Sequence, residues 1–294
     1  MAGDYAEYGD NIRIQNFGRE FIIELQQEMS DLMPYVMIDR DFPGEVKYIP
    51  KIGKATGFKK RQQRNETIDG DPVTTNRRKM EKDSYYAAQV WDKLDELYGS
   101  LAVENPIMQQ LKNNYYVEVD QIIIEAALGT AYEGKNGSDA VAFPAANILD
   151  SSATTGATFA KLLELRTKAS TNYVKGEIYW FVTPVQMEEL LEISQLTNFD
   201  LNSQRNLEQG RVLKWWNVTI IETNSINLDS GEAYYETIAM TKNSVVYGMT
   251  QDITMGIHDN KPQNFGYSLI AEFTGGATRV RDEGVFEIRC KVPA

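Results

Sequence analysis

The sequence predicts an α+β fold with a largely antiparallel sheet, and three observations carry that reading. A broad apolar stripe at helical spacing runs through residues 106–128. A mixed unit of helices and strands follows between about 157 and 222. The last quarter of the chain then breaks into short β-forming runs bounded by Gly, Asn or Asp. At 294 residues the chain can bury a sizeable core, as one large domain or two ordinary ones.

Composition narrows the function classes. The chain is 42% hydrophobic and 24% charged, with a net charge of −12. No run approaches 18 apolar residues, and the opening MAGDYAEYGD has neither a basic region nor an apolar segment. A membrane protein and a classically secreted one are therefore both disfavoured. The single Cys290 excludes an internal disulfide framework. An acidic chain is ill suited to gripping nucleic acid across its whole surface, because phosphate binding needs many Lys and Arg.

In chain order, residues 1–45 begin polar and then read FGREFIIELQQEMSDLMPYVMI. Phe17, Phe21, Leu25, Met29 and Leu32 recur at helical spacing, so a short amphipathic helix is expected, stopped before Pro34. DFPGE makes a turn into residues 46–82, VKYIPKIGKATGFKKRQQRNETIDGDPVTTNRRKMEK. This stretch carries eleven Lys or Arg against four Asp or Glu, so it holds +7 while the rest of the chain holds −19. Too little of it is apolar to offset the ordering cost of roughly 1–2 kcal/mol per residue. VKYIPKI and DPVTTN nevertheless suit extended strands. Folded back as a hairpin, each leg could reach roughly 60 Å at about 3.3 Å per residue, against a radius of gyration of about 19 Å for a compact chain of this length. Such an arm must lie on something other than its own domain.

From Asp83 the segment SYYAAQVWDKLDELYGSL places Val90, Leu94, Leu97 and Leu101 at helical spacing, and a helix is expected there. Asn105 and Pro106 then suit the start of a second helix, which runs to a stop at Gly129 as a rod of roughly 35 Å. Residues 130–156, rich in Gly, Ser, Thr and Asn, read as a loop. Thr155 or Thr158 is a candidate cap for FAKLLELRTKAST. EIYWFV reads as a buried strand, with Thr183 and Pro184 opening the helix VQMEELLEIS. TNFDLNSQRNLEQGR is a polar surface excursion, and VLKWWNVTIIETN returns as a strand. YYETIAMT, SVVYGMT, DITMGIH, FGYSLIAEFT and VFEIRCKV complete the expected strands.

No catalytic constellation emerges. His258 is the one histidine; it stands near Asp252 and Asp259 and could serve as a base, although a locally bonded turn histidine is the plainer reading. One His and one Cys cannot build a structural zinc site, and no metal or cofactor is expected. There is no GxxxxGK[ST], and the glycines of FTGGAT read as a strand-to-strand turn rather than a phosphate cradle. IDGDP at 68–72 lacks the spacing of a calcium loop. Trp215-Trp216 beside Lys214 could stack on bases, and Tyr115-Tyr116 could line a pocket; adjacent aromatics face different ways, so one of each pair is expected in the core and the other at an interface.

The order of elements resembles that of the major capsid proteins of tailed bacteriophages, the HK97-like fold. Local pieces also resemble members of that family: EIYWFVTPVQMEELLEIS, NLEQGRVLKWWNVTIIETNSI, IAMTKNSVVYGMTQDITMGIHD and GGATRVRDEGVFEIRC. The resemblance implies an N-terminal arm at 1–45 and an extended loop at 46–88 lying across a neighbouring subunit. A peripheral domain with its spine helix would span 89–134, an axial domain 135–250, and returning strands, mostly peripheral, 251–294. Family members often have a glycine-containing turn where Trp215-Trp216 stands here. The chain also begins almost directly with the arm, so any scaffolding protein is expected to be separate. The resemblance further implies a non-enzymatic shell protein that assembles with itself into hexamers and pentamers, with a portal. The icosahedral shell encloses double-stranded DNA without sequence-specific binding, in a virion put together in the host bacterial cytoplasm, with no membrane. Some relatives crosslink a loop lysine to a neighbour's asparagine, and Lys59 or Lys60 could be tried in that role. Other readings are an encapsulin-type compartment shell and a hydrolase centred on His258.

An acidic body with a basic strip suits head-to-tail contacts between copies. The residues expected to meet acidic groups of an adjacent copy are Lys59, Lys60, Arg61 and Arg64 near the tip of the arm, with Arg77, Arg78 and Lys79 on its return leg.

Overall fold

The computed structural model describes residues 26–54, 57–58, 60, 70–91, 104–193, 214–226, 228, 231, 233–260 and 266–292. Its fourteen described strands are β1 (Met37–Asp39), β2 (Val46–Ile52), β3 (Thr75–Glu81), β4 (Asp83–Trp91), β5 (Ala131–Glu133), β6 (Asp139–Val141), β7 (Ile148–Leu149), β8 (Ile178–Val182), β9 (Lys214–Trp215), β10 (Val218–Glu222), β11 (Tyr234–Thr241), β12 (Val245–Asn260), β13 (Gly266–Arg279) and β14 (Val285–Lys291). Three α-helices accompany them: α1 (Glu104–Leu128), α2 (Phe159–Thr171) and α3 (Pro184–Leu191). The class is α+β, as the sequence predicts. Most pairings are antiparallel; β1 with β12, β8 with β10 and β7 with β14 are parallel.

The six-stranded sheet, ordered β7-β14-β11-β8-β10-β9, shows why EIYWFV is apolar throughout. Successive residues of a strand face opposite sides, and here both sides are covered. Ile178, Trp180 and Val182 point into a core shared with Leu162 and Leu165 of α2 and Leu190 of α3. Phe181, between them, points into the core built on α1. Ala239 and Phe286 join the first core, and Ile238, Met240 and Val285 the second. Burying each large side chain contributes roughly 1.5–3 kcal/mol, so this sheet is the weld between the two layers. The caps follow the sequence: Thr158 accepts from Lys161 N at the start of α2, and Gln186 Oε1 accepts from the Thr183 N–H at 2.9 Å where Pro184 opens α3.

Helix α1 spans about 37 Å at 1.5 Å per residue and packs on β13 and β12 through Leu111, Tyr115, Val119 and Ile123. It ends as expected at Gly129, whose N–H donates to Glu125 O at 2.7 Å. β12 and β13 continue into a second sheet, ordered β1-β12-β13-β4, and β2-β3-β5-β6 forms the third. β14 returns to the six-stranded sheet, beside β11 and β7, rather than to the sheet that carries α1.

Several expectations are overturned. Residues 83–91 form strand β4, not a helix: nine residues pair with β13 from Trp91 opposite Tyr267 to Asp83 opposite Gly275. Helical spacing there competes with Tyr, Tyr, Val and Trp, which fit a pleated surface, and the cross-strand ladder decides. Leu94, Leu97 and Leu101 lie outside the described residues. Residues 130–156 hold β5, β6 and β7 instead of a loop. The glycines of FTGGAT sit inside β13, not in a turn, because β13 crosses the base of the β2-β3 hairpin there. A Cβ on Gly276 would stand 1.9 Å from Glu81 O. Of the expected N-terminal helix, only 26–33 is described; it is irregular up to a 3-10 turn at Met33–Tyr35. The reason is Asp120 of α1, fully buried, which accepts from Ser30 Oγ at 2.5 Å and from the N–H groups of Asp31 and Leu32 at 3.1 Å. Those bonds tie the backbone of residues 30–32 to α1.

Candidate intersubunit interface

The hairpin formed by 46–82 starts with a seven-residue antiparallel ladder, Val46 opposite Glu81 through Ile52 opposite Thr75. Gly53 N–H to Thr74 O at 2.8 Å extends it by one more bond. β5 pairs with β3 through Arg78 and Lys79, which attaches the return leg to the body.

The eleven basic residues divide by position along this hairpin. Those on the paired legs are held within their own chain. Lys47 pairs with Asp39 at 2.6 Å. Arg77 lies over the Tyr48 ring at 4.5 Å and donates from Nε to Gly134 O at 3.3 Å. Lys79 pairs with Glu81. Lys82 donates to Phe42 O at 3.1 Å and Thr250 Oγ1 at 2.9 Å.

Arg78 corrects the sequence reading most sharply. Its side chain is 1% exposed and pairs with Asp282, with Glu133 3.4 Å from Nη1. It cannot reach an adjacent copy. Asp282 also accepts from Arg279 Nε at 2.7 Å, and Arg279, itself fully buried, donates from Nη1 to Ala127 O at 2.8 Å and Gly129 O at 2.7 Å. Those carbonyls are the unsatisfied end of α1, where a cation is favoured. A single carboxylate thus ties the return leg of the hairpin to β13 and to the C-terminus of the long helix. Neither Arg78 nor Arg279 carries a sequence signal for this role, since Arg78 lies 204 residues from Asp282 and Arg279 lies 152 and 150 residues from the helix carbonyls it meets.

From the last rung of the ladder outward the described residues change character. Lys54 and Lys60 are exposed, as are the apolar Ile52 (74%), Phe58 (110%) and Val73 (72%). Lys59, Arg61 and Arg64 lie outside the described residues. Among the described residues, the end of the ladder and what lies beyond it present cations and apolar side chains together, while the base is held by its own chain.

The remaining candidates resolve differently. Trp215 packs edge-on against Phe159 at 5.2 Å, and Trp216 is exposed with the Arg166 guanidinium over its ring at 3.0 Å. Trp216 has φ +56 and so supplies the left-handed turn residue between β9 and β10 where glycine would be the easier choice. Tyr115 is buried and donates to Asp252 Oδ1 at 3.1 Å. His258 and Asp252 lie six residues apart on β12, roughly 20 Å at 3.3 Å per residue, so they do not form a catalytic pair. The Cys290 thiol is buried, and burial pushes it up to about 11, which leaves it inert. Among the described residues no group of His, Cys, Asp and Glu could hold a metal ion, and no helix is long and apolar enough to cross a membrane.

Comparisons with known proteins agree with this architecture. The chain is similar in fold to the capsid of cyanophage P-SCSP1u, with a TM-score of 0.74 and 13% identity, covering 97% of this chain and 94% of that one. It is similar to the capsid of Helicobacter pylori bacteriophage KHP30, with a TM-score of 0.74 and 10% identity, covering 99% and 98%. For the capsid of Ralstonia phage GP4 the TM-score is 0.72 at 10% identity, covering 100% and 99%. No curated protein matches. Residues 10–292 match the family described as phage capsid protein, a span that takes in both cores, the long helix and the basic hairpin, and the chain belongs to that family.

Proposed function

We propose that this major capsid protein builds its shell by laying the distal part of the 46–82 hairpin across a neighbouring copy. The observation that carries the reading is the division along the hairpin. Its base is locked to its own body through Arg78 and Asp282, while Ile52, Phe58 and Val73 stand exposed beside Lys54 and Lys60. A lone chain gains nothing from holding apolar side chains in water on a fixed arm, whereas a neighbour can bury them. The contact charges are those of 54–64, Lys54, Lys59, Lys60, Arg61 and Arg64, rather than those of the return leg.

From the family we infer closed rings of five and six copies around an enclosed double-stranded DNA, with a portal. Assembly in the bacterial cytoplasm belongs to the same reading. The body of residues 135–250 would form the axial part and α1 with β12 and β13 the peripheral part. The test is replacement of residues 53–74 by Asn-Gly, which suits a two-residue hairpin between Ile52 and Thr75. The expected product is a folded subunit that forms no particles by electron microscopy. Normal shells from this variant would refute the reading.

A further inference from the structure

The arm needs a receptor, and one open apolar groove has the matching chemistry. It lies between α1 and the edge strand β4, has a volume of about 380 Å³, and is lined by Tyr85, Tyr86, Leu111, Tyr115, Glu118 and Phe273, with no Lys or Arg among its lining residues. Its floor is aromatic and rigid: Tyr85 stacks on Phe273 at 4.9 Å, and Tyr115 meets the same ring edge-on at 4.8 Å. Its rim is acidic. Asp83 and Glu125 are exposed, as is the lining residue Glu118, and Glu118 and Glu125 share a face of α1 two turns apart. The Tyr85 phenol registers them, pushed up first by burial and then by the carboxylates of Asp83, Glu118 and Glu125. Tyr86 and Val90 on β4 remain 80% and 50% exposed. Among the described strands β4 pairs only with β13, on one of its two edges.

We propose that this groove receives Phe58 from the arm of a second copy, with Lys54 and Lys60 set against the carboxylates of the rim. The inference rests on the reading of the arm as a strap and names the surface it grips. Phe58 is fully exposed in its own chain, so its own groove does not hold it. Charge complementarity selects the occupant: residues 46–82 carry +7, and a groove edged by carboxylates favours a cationic apolar segment over an acidic one. The aromatic floor suits a ring, since a buried aromatic in a water-excluding pocket is the kind of anchor that dominates an interface.

The test uses two full-length chains, one carrying Gly57→Cys and the other Val90→Cys, both exposed positions that leave Phe58 and the groove lining in place. Cys290, buried, does not compete. The chains are mixed, assembled and treated with a short bismaleimide. A crosslinked pair is expected in shells from the mixture and absent from either chain assembled alone. Shells without that pair, or with the Gly57→Cys chain joined elsewhere, overturn the groove assignment. Separately, Phe58→Ala should raise the concentration needed for assembly roughly tenfold or more, equivalent to about 1.4 kcal/mol per contact, and Phe58→Tyr should restore it. Assembly of Phe58→Ala at the unmodified concentration also overturns the groove. If the chain lacking residues 53–74 still forms shells, the failure lies with the strap reading instead.

Discussion

Removing Asp282 should cost far more than removing Arg78, although they are partners. Asp282→Ala leaves the Arg279 guanidinium without a carboxylate and Arg78 with Glu133 alone, 3.4 Å from Nη1, on side chains 0% and 1% exposed. Deleting one member of a buried ion pair costs about 3–5 kcal/mol, because the stranded charge keeps its desolvation penalty. Arg78→Met removes the charge together with that penalty, keeps the methylene stem, and leaves Asp282 with Arg279 at 2.7 Å and Lys51 at 3.8 Å. Arg78 is also imperfectly satisfied: its Nε and Nη1 are buried without a hydrogen bond. Its loss should therefore cost no more than about 1 kcal/mol. In thermal unfolding of unassembled subunits, these figures correspond to a drop of about 10 °C for Asp282→Ala and about 3 °C for Arg78→Met. Arg78→Glu, which sets a third carboxylate beside Asp282 and Glu133, should be worse than Arg78→Met. Equal losses for Asp282→Ala and Arg78→Met would refute the brace. So would an Arg78→Met subunit of full stability that cannot assemble, since that is the signature of a contact with a neighbour.

Gly276→Ala should separate β13 from the base of the hairpin, because the new methyl would meet Glu81 O at 1.9 Å. A loss of about 1–3 kcal/mol and faster amide exchange in β3 are expected, while Gly70→Ala, in open space, should change neither. Asp120→Asn should cost about 1–3 kcal/mol and raise amide exchange at 27–32, whose donors now converge on that carboxylate. Asp150 gives a pH test. Burial pushes its carboxyl up, but Lys161, 3.0 Å away, and the Thr154 N–H outweigh this and hold it at about 2. A depressed folded value means stability present above the unfolded value and lost as pH falls through about 4 towards about 2, worth about 1–2 kcal/mol once solvent screening is allowed for. Asp150→Asn should flatten the unfolding free energy over that window; an unchanged slope would dismiss the pair.

Short-range rules decide what is legible in the sequence. The α1 stripe and the stop at Gly129, the Thr158 cap and the Thr183-Pro184 helix start all depend on residues within a few positions of each other, and all stand as expected. Asp83–Trp91 does not, because its ladder comes from β13, some 190 residues on: Ser84 meets Thr274 and Tyr85 meets Phe273. The glycines at 275 and 276 mislead for the same reason. Their need for space is set by Tyr247 and Glu81, which sequence distance hides.

The arm marks how far composition alone reaches. A stretch of +7 with sparse apolar residues announces by its letters that it cannot build a core of its own. Composition does not divide the eleven cations, since Arg78 and Lys60 look alike on that measure. The division comes from where the ladder stops: cations on the paired legs find Asp39, Gly134 and Asp282, while Phe58 and Lys60 beyond the ladder stand exposed. The proposed receptor is hidden more deeply still. Tyr85, Tyr115 and Phe273 become neighbours only when β4 lies beside β13 under α1. A chain whose partner is another copy of itself must therefore encode both halves of the contact, one as an excess of local charge and the other as a groove that folding alone assembles.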